Sequence, residues 1–188
     1  LWFLRWLQFR LMFSSGVVKL TSGDAVWSNL TALNFHYETQ PLPTRVSWYA
    51  HQFPDWFQSA GVLVVFAVEL VVPFGIFGGR CLRISAALAI GFLQIIIAVT
   101  GNYGYFNILA LVLCVPLLDD RCVQFLVGNI AIPILQPCVQ IQRSLRQFLV
   151  APIFLTILLM SVMQMTRPLR LPIVWPSILV DTQRFLRP

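Results

Sequence analysis

Four long apolar runs, at residues 61–79, 84–100, 103–118 and 148–165, leave this chain few folds to choose from. The first carries one acidic or basic residue, Glu69, and the other three carry none. Each is close to the roughly 17–25 residues a helix needs to cross about 30 Å of hydrocarbon, the third being the shortest. The reading is an all-α membrane protein, a multi-pass transmembrane helical bundle of about four spans plus interfacial helices. Hydrophobic residues make up 58% of the 188 and charged residues 11%, against roughly 45–50% and about 25% in soluble domains, which sets the soluble globular classes aside. The formal charge of +6 sits on residues flanking the apolar runs, among them Arg80, Arg83, Arg143, Arg146, Arg167 and Arg170. That is the placement of helix-end anchors in lipid headgroups. A nucleic-acid partner would need the charges gathered on one face, so membrane lipid is expected and nucleic acid is not.

Three regions follow. Residues 1–59 read as an N-terminal interfacial helix and a polar His/Pro region, 60–120 as a three-span core, and 121–188 as a short re-entrant or interfacial segment, a last span and a basic tail. Within the first, residues 1–13 are apolar on nearly every side but hold Arg5 and Arg10. They read as the end of a membrane helix or a helix in the interface, not a signal peptide, and imply a chain cut from something longer. The trio Ser14, Ser15 and Gly16 reads as a break, and Ser22 or Asp24 as the cap of a short helix through Trp27 and Leu33. Residues 123–135 are too short and too interrupted, by Gly128, Asn129 and Pro133, for a full crossing.

Both histidines fall in the polar stretch between Trp27 and Trp56. Clustered His, Glu, Gln and Pro leave polar groups that hydrocarbon cannot satisfy, so the stretch belongs at a membrane surface, in a wet cavity or against a partner. His36 and Glu38, with His51, have the residue types for a metal or a general base. A lone His-x-Glu without a third ligand at fixed spacing is a weak signal, and no metal, cofactor or catalytic residue is expected. The preferred reading gives His36, Tyr37, Glu38, Gln40, Pro41, Pro43 and His51 to partner binding or loop architecture, because two prolines make a stiff, extended loop.

Glu69 at mid-span must be protonated, hydrated or paired, since a charged side chain at the helix centre costs about 2.5–3.5 kcal/mol on insertion scales. Gln94, Asn102 and Asn107 are the expected uncharged partners, with Arg80 and Arg83 behind them. Pro73 removes the donor that would bond the Glu69 carbonyl, which predicts a kink there. Residues 101–104 read as a tight turn between antiparallel helices, using the glycines for positive φ. Tyr103, Tyr105 and Phe106 read as a headgroup belt, and Asp119 and Asp120 as a solvated helix end. Cys81, Cys114, Cys122 and Cys138 show no zinc-ligand spacing, and a Cys122–Cys138 disulfide would need an oxidising lumen. Asn29-Leu30-Thr31 is an acceptor pattern for N-glycosylation. The flanking positive residues are too evenly divided to fix the orientation.

The run Phe9-Arg10-Leu11-Met12-Phe13-Ser14-Ser15-Gly16-Val17-Val18-Lys19 opens a series of elements that includes Leu30-Thr31-Ala32-Leu33, residues His36 to Pro43, and Trp48-Tyr49-Ala50-His51. It continues with Glu69 and Pro73, then Gln94, Thr100-Gly101-Asn102-Tyr103, Phe106-Asn107 and Leu118-Asp119-Asp120. Taken in this order over residues 5–120, the chain resembles the lipase maturation factors, multi-pass membrane proteins of the endoplasmic reticulum, and their second branch more than the first. The resemblance implies a non-enzymatic factor that helps secreted client proteins, lipases in particular, to fold and assemble. It also implies that assembly involves a large domain after the membrane region, so these 188 residues are expected to hold the scaffold without the full working surface. The alternative from another class is an intramembrane enzyme or a small-molecule or proton carrier, using Glu69, Gln94 and Asn102 with His36 and Glu38 at its mouth.

Overall fold

The computed structural model describes residues 1–40, 44–101, 103–119, 122 and 143–166. All regular structure among them is helical. In chain order come α1 (Trp2–Thr21), α2 (Ala25–Ser28), α3 (Ala32–Thr39), α4 (Arg45–His51), α5 (Asp55–Phe66), α6 (Arg80–Thr100), α7 (Tyr105–Cys114) and α8 (Arg143–Thr166). The chain divides into two compact units, Leu1–Leu126 and Val127–Pro188. In the second, α8 contains the run at 148–165 and carries Pro152 inside the helix. The segment at 123–135, Asp120, Cys138 and the tail from 167 lie outside the described residues.

Among the described residues two helices are long and apolar enough to cross a membrane: Asp55–Phe77, which is α5 with its continuation, and α6. The apolar helix Tyr105–Leu117 is shorter; at 1.5 Å per residue it reaches about 20 Å. Past Phe66, α5 widens into a π-helical turn at Ala67–Val71, closed by Val72 donating to the Ala67 carbonyl, and then tightens into a 3-10 turn at Val72–Phe77. Pro73 lacks the N–H that an unbroken α-helix needs to reach Glu69, so the ladder changes pitch where the sequence predicts a kink.

The expected break at Ser14, Ser15 and Gly16 does not occur: α1 runs straight through it. Its small residues answer a neighbour instead. A Cβ on Gly16 would stand 2.7 Å from Leu70 Cδ2 and 3.0 Å from Glu69 Cβ, so the missing side chain lets α1 lie against the π turn. At the other end of that contact, Phe9 packs at 5.2 Å from Phe74 and 5.3 Å from Phe77, with Trp2 stacked 6.2 Å from Phe77. Asp24 does cap a helix, accepting from Val26 N–H at 3.1 Å. That helix stops at Ser28, however, and Leu30 turns the chain at φ 58° before α3 begins.

α6 returns antiparallel to the α5 continuation, and α7 packs on both α6 and α1. The turn between α6 and α7 takes positive φ at Gly104, at 59°, as its glycine content predicts. At the far end of this hairpin Asp119, only partly exposed, pairs with both Arg80 and Arg83, while Arg83 Nε donates to the Leu117 carbonyl at 3.0 Å. The two arginines at the start of α6 thereby close the end of α7, because an acid following the last turn is the partner their position offers.

Candidate functional site

Helices α3 and α4 form a cap over one end of the bundle. α3 packs on α5 and α4 on α6. Four polar contacts tie the cap down: Gln40 Nε2 to the Thr100 carbonyl at 2.9 Å, Thr44 Oγ1 to the Val99 carbonyl at 2.7 Å, Gln58 Nε2 to the Ala50 carbonyl at 2.6 Å, and Asn34 Nδ2 to Asp55 at 3.0 Å. On either side of the two prolines, where the extended loop is expected, the His-bearing stretch is mostly helical: His36, Tyr37 and Glu38 lie in α3 and His51 in α4. Pro41, Pro43 and the intervening residue lie outside the described residues, as does Asn102. Asn29 is exposed just after α2.

Beneath the cap lies a cavity of about 280 Å³. Its polar lining comes from Ser15 and Lys19 of α1, His36 of α3, Glu69 of the π turn, Gln94 of α6, and Asn107 of α7 with Tyr103 just before it. Trp27, Leu33, Val65, Ile97 and Phe106 supply hydrocarbon walls. The structure thus gathers Glu69, Gln94, Asn107 and His36 into one place. Glu38 is engaged elsewhere, its carboxylate 3.0 Å from His51 Nε2. Among the described residues no three His, Cys, Asp or Glu side chains converge as a metal site would require.

Glu69 is 2% exposed, and its partner is Lys19, which bonds one carboxylate oxygen shared with the Ser15 hydroxyl at 3.3 Å. This corrects the expectation that Gln94 or Asn107 would pair with it; Asn102, the other expected partner, lies outside the described residues. Gln94 instead donates to Met12 Sδ at 3.6 Å. The pairing is out of reach of the sequence when the first helix is read as ending at residues 14–16, which leaves Lys19 off the stripe that α1 continues. A signal was present: Gln8, Met12, Ser15 and Lys19 recur at helical spacing, and Gln8 and Met12 are fully buried on that stripe. Lys19 Nζ also sits 5.3 Å from the Trp27 ring centroid, a cation–π contact that walls the pair from above.

Several buried polar atoms on the cavity wall find no hydrogen-bond partner among the described residues: Glu69 Oε2, Gln94 Oε1, and both Oδ1 and Nδ2 of Asn107. Unsatisfied buried groups of this kind cost about 1–3 kcal/mol each, so their convergence on one space marks where water or a ligand has hydrogen bonds to make.

His36 lies parallel to Tyr103, with centroids 5.7 Å apart and planes at 4°, and the tyrosine hydroxyl is 3.4 Å from Nδ1. Burial, with Lys19 adding to it, holds the His36 imidazole below its ordinary value near 6.5. The folded state therefore favours the neutral ring. Its contribution to stability is complete above the unfolded value and is lost as pH falls through the depressed one. Limited proteolysis of the cap should accelerate between pH 7.5 and pH 5, and His36→Phe, which keeps the stacked ring, should flatten that dependence. An unchanged profile in His36→Phe would assign the sensitivity to another group.

A helical membrane protein that keeps a buried ion pair beside a polar cavity, under a cap of short helices, is the class these features define. Within that class the chain belongs to the lipase maturation factor family: residues 1–125 match the model of the lipase maturation factor transmembrane domain. It is 54% identical over 121 residues to lipase maturation factor 2 of Rattus norvegicus, a match covering 64% of this chain and 17% of that protein. To lipase maturation factor 2 of Homo sapiens it is 50% identical, again over 64% of this chain and 17% of the relative. To lipase maturation factor 1 of Mus musculus it is 38% identical over 77% of this chain and 25% of the relative. The chain thus spans about a sixth to a quarter of the length of these relatives. No solved structure matches it.

Proposed function

We propose that this chain is membrane machinery of the endoplasmic reticulum that takes part, without enzymatic chemistry of its own, in the folding and assembly of secreted proteins such as lipases. The observation that carries the reading is the match of residues 1–125 to the lipase maturation factor transmembrane domain. The physical logic is that partly assembled clients expose apolar surface, which a membrane-anchored platform with aromatic and polar surfaces can hold until it is buried. Trp48, Tyr49, Phe53, Trp56 and Phe57 stand exposed on α4, the α4–α5 link and the start of α5, a fitting platform. His36, Tyr37, Glu38, Gln40, Pro41, Pro43 and His51 would shape the cap that presents it.

The test is co-expression with a secreted lipase, in cells lacking the endogenous factor, of this chain joined to the remaining length of a lipase maturation factor 2 relative, since the chain spans about a sixth of such a relative. Active secreted lipase should rise without a change in its synthesis, and Pro41→Ala/Pro43→Ala should weaken that gain more than it weakens membrane insertion. Unchanged secretion would contradict the reading, and equal loss of both properties would remove the role given to the prolines.

The proposal includes about four crossings, counting the shorter α7 and the apolar run of α8 as spans in addition to α5 and α6, and a lumenal cap. Glycosylation at Asn29, read as a mobility shift abolished by Asn29→Gln and by glycosidase, checks the side on which the cap lies. A second reading, a proton or small-molecule carrier using Glu69 and Gln94, draws support from the cavity that unites them. Glu69→Gln would abolish a proton-handling role and only weaken a packing one.

A further inference from the structure

The cavity is more specific than a wet gap between helices. Among the described lining residues the half-buried Lys19 is already engaged by the buried Glu69, so an anionic ligand would meet the Glu69 carboxylate and a cationic one would meet Lys19. Three acceptors, Glu69 Oε2, Gln94 Oε1 and Asn107 Oδ1, and one donor, Asn107 Nδ2, remain to be met on its wall. Glu69, Gln94 and Asn107 are each at most 3% exposed, and all three line the same space. Hydroxyl groups suit that set, because each donates one hydrogen bond and accepts others; two hydroxyls supply donors to two acceptors and an acceptor for the amide. The apolar lining residues Leu33, Val65, Ile97 and Phe106 offer no polar atom from their side chains and suit hydrocarbon. A cavity of about 150 Å³ takes benzene, so about 280 Å³ accommodates roughly ten to twelve non-hydrogen atoms.

We propose that this cavity binds an uncharged amphiphile drawn from the bilayer, with a small head bearing at least two hydroxyls among Glu69, Gln94 and Asn107 and the start of its acyl chain against Val65, Ile97 and Phe106. A monoacylglycerol has this chemistry, and its head, ester and first methylenes match the volume. Water alone would satisfy the polar groups but would leave the hydrocarbon walls hydrated, which is the unfavourable arrangement. The site does not rest on the client reading: a chain that bound no lipid could still mature a lipase, and the reverse.

The probe is a monoacylglycerol with a diazirine near the ester and a terminal alkyne, photolysed with the full chain purified in detergent. Labelling is expected to saturate, to map to peptides that include lining residues, and to be displaced by unlabelled monoacylglycerol. Gln94→Leu/Asn107→Leu should lower it at least tenfold while its unfolding temperature stays equal or rises, since the orphaned polar groups are gone. Should that variant fail to fold, Ile97→Trp, which fills the apolar wall and leaves every polar group in place, should abolish labelling equally. Undiminished labelling in the variants overturns the proposal. So does equal labelling by a phosphatidylcholine probe with the same diazirine, or displacement by free glycerol as effective as by the monoacylglycerol.

Discussion

Lys19→Met is expected to destabilise the bundle by about 3 kcal/mol, because removing one member of a buried ion pair leaves the other charge uncompensated and typically costs about 3–5 kcal/mol. The lower end of that range applies, since the Lys19 side chain retains 22% exposure while that of Glu69 retains 3%. Methionine keeps most of the lysine stem, so packing against Trp27 changes little and the loss reports the charge. Lys19→Met/Glu69→Leu should recover most of the stability, because replacing a whole buried pair by hydrocarbon is often neutral or stabilising. Glu69→Gln should fall between the two: Gln retains an acceptor for the Ser15 hydroxyl, and Lys19, two residues from the end of α1, can turn its ammonium toward water. Denaturant unfolding in a fixed detergent gives these differences directly. If Glu69→Gln folds normally yet abolishes function, the carrier reading displaces the structural one for this residue.

Gly16→Val should be the most damaging single addition of atoms to α1. Its Cβ would lie 2.7 and 2.8 Å from Leu70 Cδ2 and Cγ and 3.0 Å from Glu69 Cβ, and valine adds two further carbons at that contact. Overpacking of a well-filled site costs about 1–3 kcal/mol. Here the displaced helix also carries Lys19, so the ion pair loosens with it. Gly61→Ala is the control: its Cβ meets only the far methyl of Leu33, at 2.7 Å, which can rotate away. Unfolding temperatures should separate the two variants clearly, and an equal small effect in both would show that α1 does not need this close approach.

The apolar runs at 61–79 and 84–100 were legible because hydrocarbon solvent imposes a length and forbids charges, and both fall largely within helices long enough to cross. The distortion near Pro73 was legible too, since a missing N–H acts on a carbonyl four residues away whatever the fold. Contacts fixed by tertiary approach were not. Ser14, Ser15 and Gly16 read as a break because nothing local reveals the π turn that their small size accommodates. Lys19 and Glu69 are 50 residues apart, and His36 and Tyr103 are 67 apart, so no periodicity links either pair. The pairing of Asp119 is hidden for the same reason: its two arginines begin a helix that only the return of α7 brings alongside. The polar members of the site were visible as costly residues in hydrocarbon, whereas their convergence with Ser15, Lys19 and Tyr103 needed three dimensions.

The most direct test of the buried pair at the heart of this structure is a double-mutant cycle between Lys19 and Glu69, using Lys19→Met, Glu69→Leu and the combination. A coupling of about 2 kcal/mol or more is predicted, within the range of about 0.5–3 kcal/mol seen for residues in direct contact. Additivity within about 0.5 kcal/mol, the behaviour of distant and independent sites, would mean that α1 does not supply the partner of Glu69 and that the cavity is not built as described.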